Sequence, residues 1–281
     1  MSVFNLDLFI ELALAEDVGD GDHSSLACVP NDVLGKAHML VKEDGILAGV
    51  EIGISIFKKV DAELTITVLL SDGASVKPGD ITMTVAGSRQ SILKAERLVL
   101  NVMQRMSGIA TYTFKIVQLL KGTNTKVLDT RKTTPLLRAL EKQAVKIGGG
   151  ENHRFGLFDM IMLKDNHIDY AGGIAAALSK TKEYLNSTGR DLKIEVEARD
   201  LNEVKEILAI GGVDRIMLDN FNYSDTKTAV KIIGNTCETE SSGGITIDTI
   251  RAYAECGVDY ISVGALTHSI KSLDISLKAI D

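Results

Sequence analysis

Residues 126–167 read KVLDTRKTTPLLRALEKQAVKIGGGENHRFGLFDMIMLKDNH, and the fold is decided by how this stretch is read. Two short apolar runs, Lys126-Val-Leu-Asp129 and Phe158-Asp-Met-Ile-Met-Leu163, each end at charged residues. Between them LLRALEKQAVKIGGG has helical periodicity and closes on glycine. Strand, helix, strand is the repeating unit of a parallel sheet, so Arg131, Lys132 and Lys164 fall just past the carboxyl ends of strands, where α/β proteins place their chemistry. Arg138, Lys142 and Lys146 lie on the helix and read as solvated or edge charges.

Toward the C-terminus the alternation continues, with strands expected at 126–129, 159–163, 193–197, 214–218, 236–240 and 259–263. Helices are expected at 135–147, 172–185, 201–210, 225–233 and 246–256. Serial βα steps imply parallel strands with right-handed crossovers. They are too few for a complete barrel, so the expectation is an incomplete (β/α) barrel, with a doubly wound sheet as the alternative. Toward the N-terminus, Leu6 to Leu14 form one face of a short helix, and DVGDGDHSS reads as a glycine and aspartate loop without EF-hand spacing. Residues 35–88 alternate extended segments with a helix at Val50 to Val60, an α+β module. A long helical tract, Ile92 to Met106, is then followed by Ser107-Gly108 and a second helix to about Leu120, and a domain boundary is expected near that Ser-Gly.

The chain has 281 residues, 45% hydrophobic and 25% charged, with 31 Lys plus Arg against 38 Asp plus Glu for a net charge of -7. That is globular composition without a basic field, and no nucleic-acid partner is expected. Against this background the cations of 131–164 need an anionic ligand, since guanidinium forks bind carboxylate or phosphate bidentately. Cys28, Cys237 and Cys256 are widely spaced, which fits a reducing compartment. His23 and His38 share no metal-ligand spacing. The acidic N-terminus lacks a signal peptide's positive region, and no uncharged apolar run approaches ~18 residues. No membrane association is expected, and a cytoplasmic location is.

The expected strand ends deliver Arg131 and Lys132, then Lys164 and His167, then Glu197, then Asp219 and Asn220, then Glu240 to Gly244, then Gly264 with His268. Ser241-Ser242-Gly243-Gly244 before a helix, paired with Val263-Gly264-Ala265, reads as a phosphate site between the last two βα loops. Gly148-Gly149-Gly150 is explained by a helix C-cap. Glu197 and Asp219 are either strand-end carboxylates paired with cations or ligands of ribose hydroxyls or Mg²⁺. Neither a Walker A motif nor GxGxxG is present.

AERLVLN at 95–101, SGIAT at 107–111, DTRKT at 129–133, GGGENHR at 148–154, LKDNH at 163–167, EVE at 195–197, LDN at 218–220, ESSGG at 240–244 and VGALTHS at 263–269 resemble the quinolinate phosphoribosyltransferase family, the carboxylating nicotinate-nucleotide pyrophosphorylases. The resemblance implies an α/β sandwich domain over residues 1–110, with the tail 270–281 packing on it, and an incomplete TIM-like (β/α) barrel carrying the phosphate site over 111–269. It implies joining of quinolinate to phosphoribosyl pyrophosphate with Mg²⁺, and a homodimer whose sites are shared. Carried over by motif, Arg97, Thr130, Arg131, His153, Arg154 and Lys164 would surround quinolinate. Lys132, Glu197 and Asp219 would handle the phosphoribosyl pyrophosphate and its metal, and Ser242, Gly243, Gly244, Val263, Gly264 and Ala265 would hold the 5'-phosphate. Three other functions remain: a related pyrophosphorylase-like enzyme of molybdenum metabolism, a lyase using Lys164 as a Schiff base, and a non-catalytic phosphate sensor.

Overall fold

A computed structural model describes residues 4–280, which divide into two compact units. The first comprises residues 4–114, 139–149 and 270–280, and the second Lys115–Arg138 and Gly150–Ser269. In chain order the elements are α1 (Leu6–Val18), α2 (His23–Cys28), β1 (Leu34–Val41), β2 (Gly45–Ile46), α3 (Val50–Val60), β3 (Thr65–Val68), β4 (Ser75–Val76), β5 (Ile81–Ser88) and α4 (Arg89–Leu119). There follow β6 (Lys126–Leu128), α5 (Arg138–Ile147), β7 (Ile161–Leu163), α6 (Asp165–Ala171), α7 (Ile174–Thr188), β8 (Ile194–Ala198), α8 (Leu201–Ile210) and β9 (Arg215–Asp219). The last are α9 (Tyr223–Ile233), β10 (Glu238–Ser242), α10 (Ile250–Ala254), β11 (Tyr260–Ser262), α11 (Ala265–His268) and β12 (Ile275–Ile280).

The first unit is built on an antiparallel sheet in the order β12-β1-β5-β3, with the separate pair β2-β4. β12 comes from the C-terminal tail and pairs with β1 from Lys36↔Ile280 to Val41↔Ile275. α4 is one continuous helix, where the sequence suggests two. Ser107 and Gly108 are small because other backbone crosses the helix there: Ser107 Oγ accepts from Ala48 N at 2.9 Å, and a Cβ at Gly108 would overlap the Lys271 carbonyl. Glycine in a helix interior costs ~1 kcal/mol against alanine, so its presence marks the close approach rather than a break. Two further expectations fail. His23 starts the helix α2, capped by Asp22 accepting from Ser25 N at 3.1 Å, inside what reads as a loop. On α5, Lys142 is 2% and Glu141 1% exposed, with Glu141 paired to Arg105 at 2.6 Å, so only Lys146 matches the expected solvated charge.

The second unit carries a parallel sheet in the order β6-β11-β10-β9-β8-β7. The last strand pairs with the first, so the sheet curls back on its start as a (β/α) barrel does, and the doubly wound alternative is excluded. Only a single bridge, Leu128↔Glu151, extends β6 on its other side, and β6 and β7 are not paired among the described residues. The barrel is therefore open between those two strands. All five residues of β8 are buried, one face against helices and the other, with Glu195 and Glu197, toward the barrel interior. The helix expected at 172–185 is α7, and a short helix not expected from the pattern, α6, precedes it, with Gly172 and Gly173, at φ 95° and 115°, separating the two.

Candidate active site

At the carboxyl ends of these strands lies a cavity of about 340 Å³ lined by Thr130, Arg131, Lys132, His153, Arg154, Met162, Lys164, Met217, Glu240, Ser242 and Ser262. A larger hollow of about 470 Å³ opens at the opposite ends of the strands. There the carboxylates of Asp214 and Asp259 accept the backbone N–H groups of Ile194 and Thr239, the work of structural capping. The chemistry lies at the first.

Four cations face that cavity. Arg131 is carried past β6, and its Nε is buried with no hydrogen-bond partner among the described residues. Arg154, half-buried, is anchored by one bond from Nη1 to Met160 O at 3.2 Å. Burial first, and then the nearby charge of Arg131, lower its pKa, so the two guanidiniums are close enough to repel. Lys164 precedes α6, and its Nζ lies 3.4 Å from Glu197 Oε2. The backbone of Lys132 is tied at both ends, its N–H to Thr130 Oγ1 at 3.0 Å and its carbonyl accepting from Thr267 Oγ1 at 2.8 Å.

Beneath the cations is a buried charge cluster. His153 N donates to Asp129 Oδ1 at 2.8 Å, and its Nε2 lies 3.1 Å from Glu195 Oε2 and 3.5 Å from Glu240 Oε2, both carboxylates being fully buried. Arg215 reaches Glu240 at 2.9 Å and Glu238 at 2.9 Å, and its guanidinium stacks 4.1 Å from the Tyr260 ring centre. Burial lowers the His153 pKa, but the facing Glu195 and Glu240 more than offset it and would hold an imidazolium up to about 9. Nδ1, however, accepts Arg154 N–H at 2.6 Å, which leaves no room for a proton there, so geometry places a single proton on Nε2. That assignment also decides against a metal among His153, Glu195 and Glu240, which are grouped closely enough to hold one, because a protonated Nε2 has no lone pair to give.

Glu197 and Asp219 end adjacent strands. Burial raises the Glu197 pKa and Asp219 adds to it, while Lys164 opposes both. Two crowded carboxylate oxygen sets of this kind fit a hard cation such as Mg²⁺. Asn220, in the left-handed region at φ 55°, donates its backbone N–H to Ser242 O at 2.9 Å. Gly243 has φ 97°, and a Cβ there would overlap the Asn220 amide, so only glycine lets the two loops meet. Gly264 is bounded by the stem of Lys132 and the His268 ring, each about 3.1–3.2 Å from where its Cβ would lie. Val263 N donates to Leu128 O at 3.0 Å, and Ala265 begins α11. The helix expected directly after Gly244 starts only at Ile250, so the loop amides and hydroxyls, not a helix dipole, are what an anion meets there.

Of the residues singled out from sequence, Thr130, Arg131, Lys132, His153, Arg154, Lys164 and Ser242 all line the cavity. Arg97 is an exposed residue of α4 in the first unit and does not line it. Sequence reasoning gave no role to Asp129, Glu195 and Arg215 and read Glu240 only as the end of the strand 236–240, leading into the glycine loop. For Glu195 and Arg215 the signal is present as charges in otherwise apolar strands, at positions that in a barrel point inward.

The sequence matches the quinolinate phosphoribosyl transferase N-terminal domain family over residues 22–107 and the C-terminal domain family over residues 109–278. It is 48% identical to "Nicotinate-nucleotide pyrophosphorylase [carboxylating], chloroplastic" of Oryza sativa subsp. japonica over 290 aligned residues, covering 98% of this chain and 78% of the relative. It is 42% identical to the "Probable nicotinate-nucleotide pyrophosphorylase [carboxylating]" of Bacillus subtilis (strain 168), covering 93% and 89%. The crystal structure of NadC from Streptococcus pyogenes superposes with a TM-score of 0.93 at 40% identity, covering 98% of this chain and 97% of that one. With both domain families matched in order along one chain, the chain belongs to the quinolinate phosphoribosyltransferase family.

Proposed function

We infer that the chain transfers the phosphoribosyl group of phosphoribosyl pyrophosphate to quinolinate with decarboxylation, giving nicotinate mononucleotide, pyrophosphate and CO₂, a step of NAD biosynthesis. The observation that carries this reading is the cavity itself. Arg131, Arg154 and Lys164 surround a space walled by Met162 and Met217, with one buried guanidinium nitrogen lacking a partner. Flat apolar walls suit an aromatic ring and the cations suit two carboxylates on it. Two unit charges ~4 Å apart interact by about 4 kcal/mol at an effective dielectric near 20, so bringing a dicarboxylate and a polyphosphate together requires such cations.

In this arrangement Arg131, Arg154 and Lys164 hold the ring carboxylates, and Lys132 with the loops of Ser242, Gly243, Gly244 and Val263, Gly264, Ala265 holds the phosphates. The pyridine nitrogen then attacks the anomeric carbon as pyrophosphate leaves, a loose displacement that depends on positioning and electrostatics and needs no protein nucleophile. The positive charge on the ring nitrogen, now quaternary, stabilises the electron pair left at C2 when that carboxylate departs as CO₂, and a solvent proton takes up that pair to form the new C–H bond. Glu197 and Asp219 would hold Mg²⁺, which when bound neutralises phosphate charge. A Schiff-base role for Lys164 is disfavoured, because nearly half its side chain is solvent-exposed and it pairs with Glu197, unlike a desolvated amine. We also propose a homodimer with shared sites, in which Arg97 serves the neighbouring pocket. A cytoplasmic location is supported by three free thiols and by the absence, among the described residues, of any helix long and apolar enough to cross a membrane. The test is incubation with quinolinate, phosphoribosyl pyrophosphate and Mg²⁺. Nicotinate mononucleotide should form in step with CO₂, and release of pyrophosphate without that product would refute the reading.

A further inference from the structure

We propose that Arg138 is a positioning residue that holds the two substrate-facing guanidiniums, Arg131 and Arg154, in register by clamping the backbones that carry them. Its Nε donates to Thr133 Oγ1 at 2.9 Å, its Nη1 to Phe155 O at 2.9 Å and its Nη2 to Arg131 O at 3.3 Å. The same guanidinium lies 5.9 Å from the Phe155 ring centre. One planar fork thus joins the loop after β6, at the carbonyl of Arg131 itself, to the segment before β7, at the residue following Arg154. Arg138 does not line the cavity, so its charge is not spent on substrate.

Three observations indicate that this clamp is its role. Arg138 opens α5, where the helix dipole disfavours a cation, so helix stability does not explain it. Arg131 and Arg154 crowd each other, and Arg131 Nε has no hydrogen-bond partner among the described residues, so the backbone that carries this guanidinium is the point at which it is held. The segment between Arg131 and Arg138 also contains Leu136, a non-glycine residue at φ 67° with 84% of its surface exposed. A strained conformation without packing around it persists only where the flanking chain is tied down, and Arg138 supplies that tie. Lys132, between the clamped Arg131 and Thr133, has a further tie of its own, its carbonyl accepting from Thr267 Oγ1, so losing the clamp should displace it less than Arg131 and Arg154.

The inference rests on the proposed transferase reading, and the experiment separates the two. Wild-type, Arg138→Lys and Arg138→Ala chains are assayed at full length, with quinolinate and phosphoribosyl pyrophosphate varied in turn and thermal unfolding followed in parallel. A clamp predicts that Lys, which keeps the charge and loses the fork, raises the quinolinate KM tenfold or more, leaves the phosphoribosyl pyrophosphate KM within about twofold, and unfolds near the wild-type temperature. Methylguanidinium added to Arg138→Ala should restore part of the quinolinate affinity. A Lys variant with wild-type constants, or equal losses for both substrates with a lowered unfolding temperature, would overturn the clamp. An inactive wild-type chain would instead count against the transferase reading.

Discussion

His153 spends both ring nitrogens inside the protein, Nδ1 on Arg154 N–H and Nε2 toward Glu195 and Glu240, so its effect on a substrate is transmitted through Arg154. Arg154 is then the residue whose geometry counts most, since its guanidinium is half-buried, faces the cavity and makes one bond of its own, to Met160 O. Replacing it by Lys keeps the charge and removes the planar fork that meets a carboxylate with two parallel bonds. One lost charge-assisted hydrogen bond is worth about 1.5–3 kcal/mol, so Arg154→Lys should cost roughly 10- to 100-fold in kcat/KM for quinolinate while the fold persists. Steady-state kinetics with circular dichroism as a fold control decide it, and near-wild-type turnover would remove Arg154 from the carboxylate pocket. This residue was legible in sequence as one of the cations of 131–164 and through the resemblance of GGGENHR, not from a strand end. The buried partners of His153 were harder to see, because a glutamate in a strand reads as a surface position until the sheet is known to close around it.

At the level of elements, α3 and α8 fall where apolar periodicity puts them, and all six barrel strands lie within two residues of expectation at each end, in each case because local pattern and burial agree. α4 was misread where they disagree: Ser107-Gly108 carries the composition of a break, but the cause is backbone from residues 271–272 passing over the helix, a contact no local window contains. α10 is likewise shorter than the pattern suggests, five residues after a run of turns. α4 also carries Arg97, exposed and not among the residues that line the cavity. If Arg97 serves the neighbouring subunit's pocket, mixing inactive Arg97→Ala and Lys164→Ala chains should restore up to about a quarter of wild-type activity by statistical pairing, since a heterodimer can assemble one site free of both lesions. Demonstrated subunit exchange without recovered activity would show that Arg97 does not act in trans.

For the whole molecule, the telling contrast is between a chain of net charge -7 and a cavity whose direct lining holds Arg131, Lys132, Arg154 and Lys164 against one carboxylate, Glu240, already committed to Arg215. Such a local reversal of sign is maintained against the repulsion among the cations themselves, and it is relieved only by a ligand carrying several negative charges. A barrel left open between β6 and β7 brings the loops that flank that gap, with Arg131 on one side and Arg154 on the other, to the same mouth. The central claim is that this mouth is built for a dicarboxylate, and the most direct test compares kcat/KM for quinolinate and nicotinate at saturating phosphoribosyl pyrophosphate, following CO₂ from carboxyl-labelled quinolinate. A missing C2 carboxylate leaves a partly buried cation unpaired at a cost of ~3 kcal/mol or more, so quinolinate should be preferred by roughly a hundredfold or greater with the label released as CO₂. Equal use of nicotinate, or product that retains the label, would contradict it.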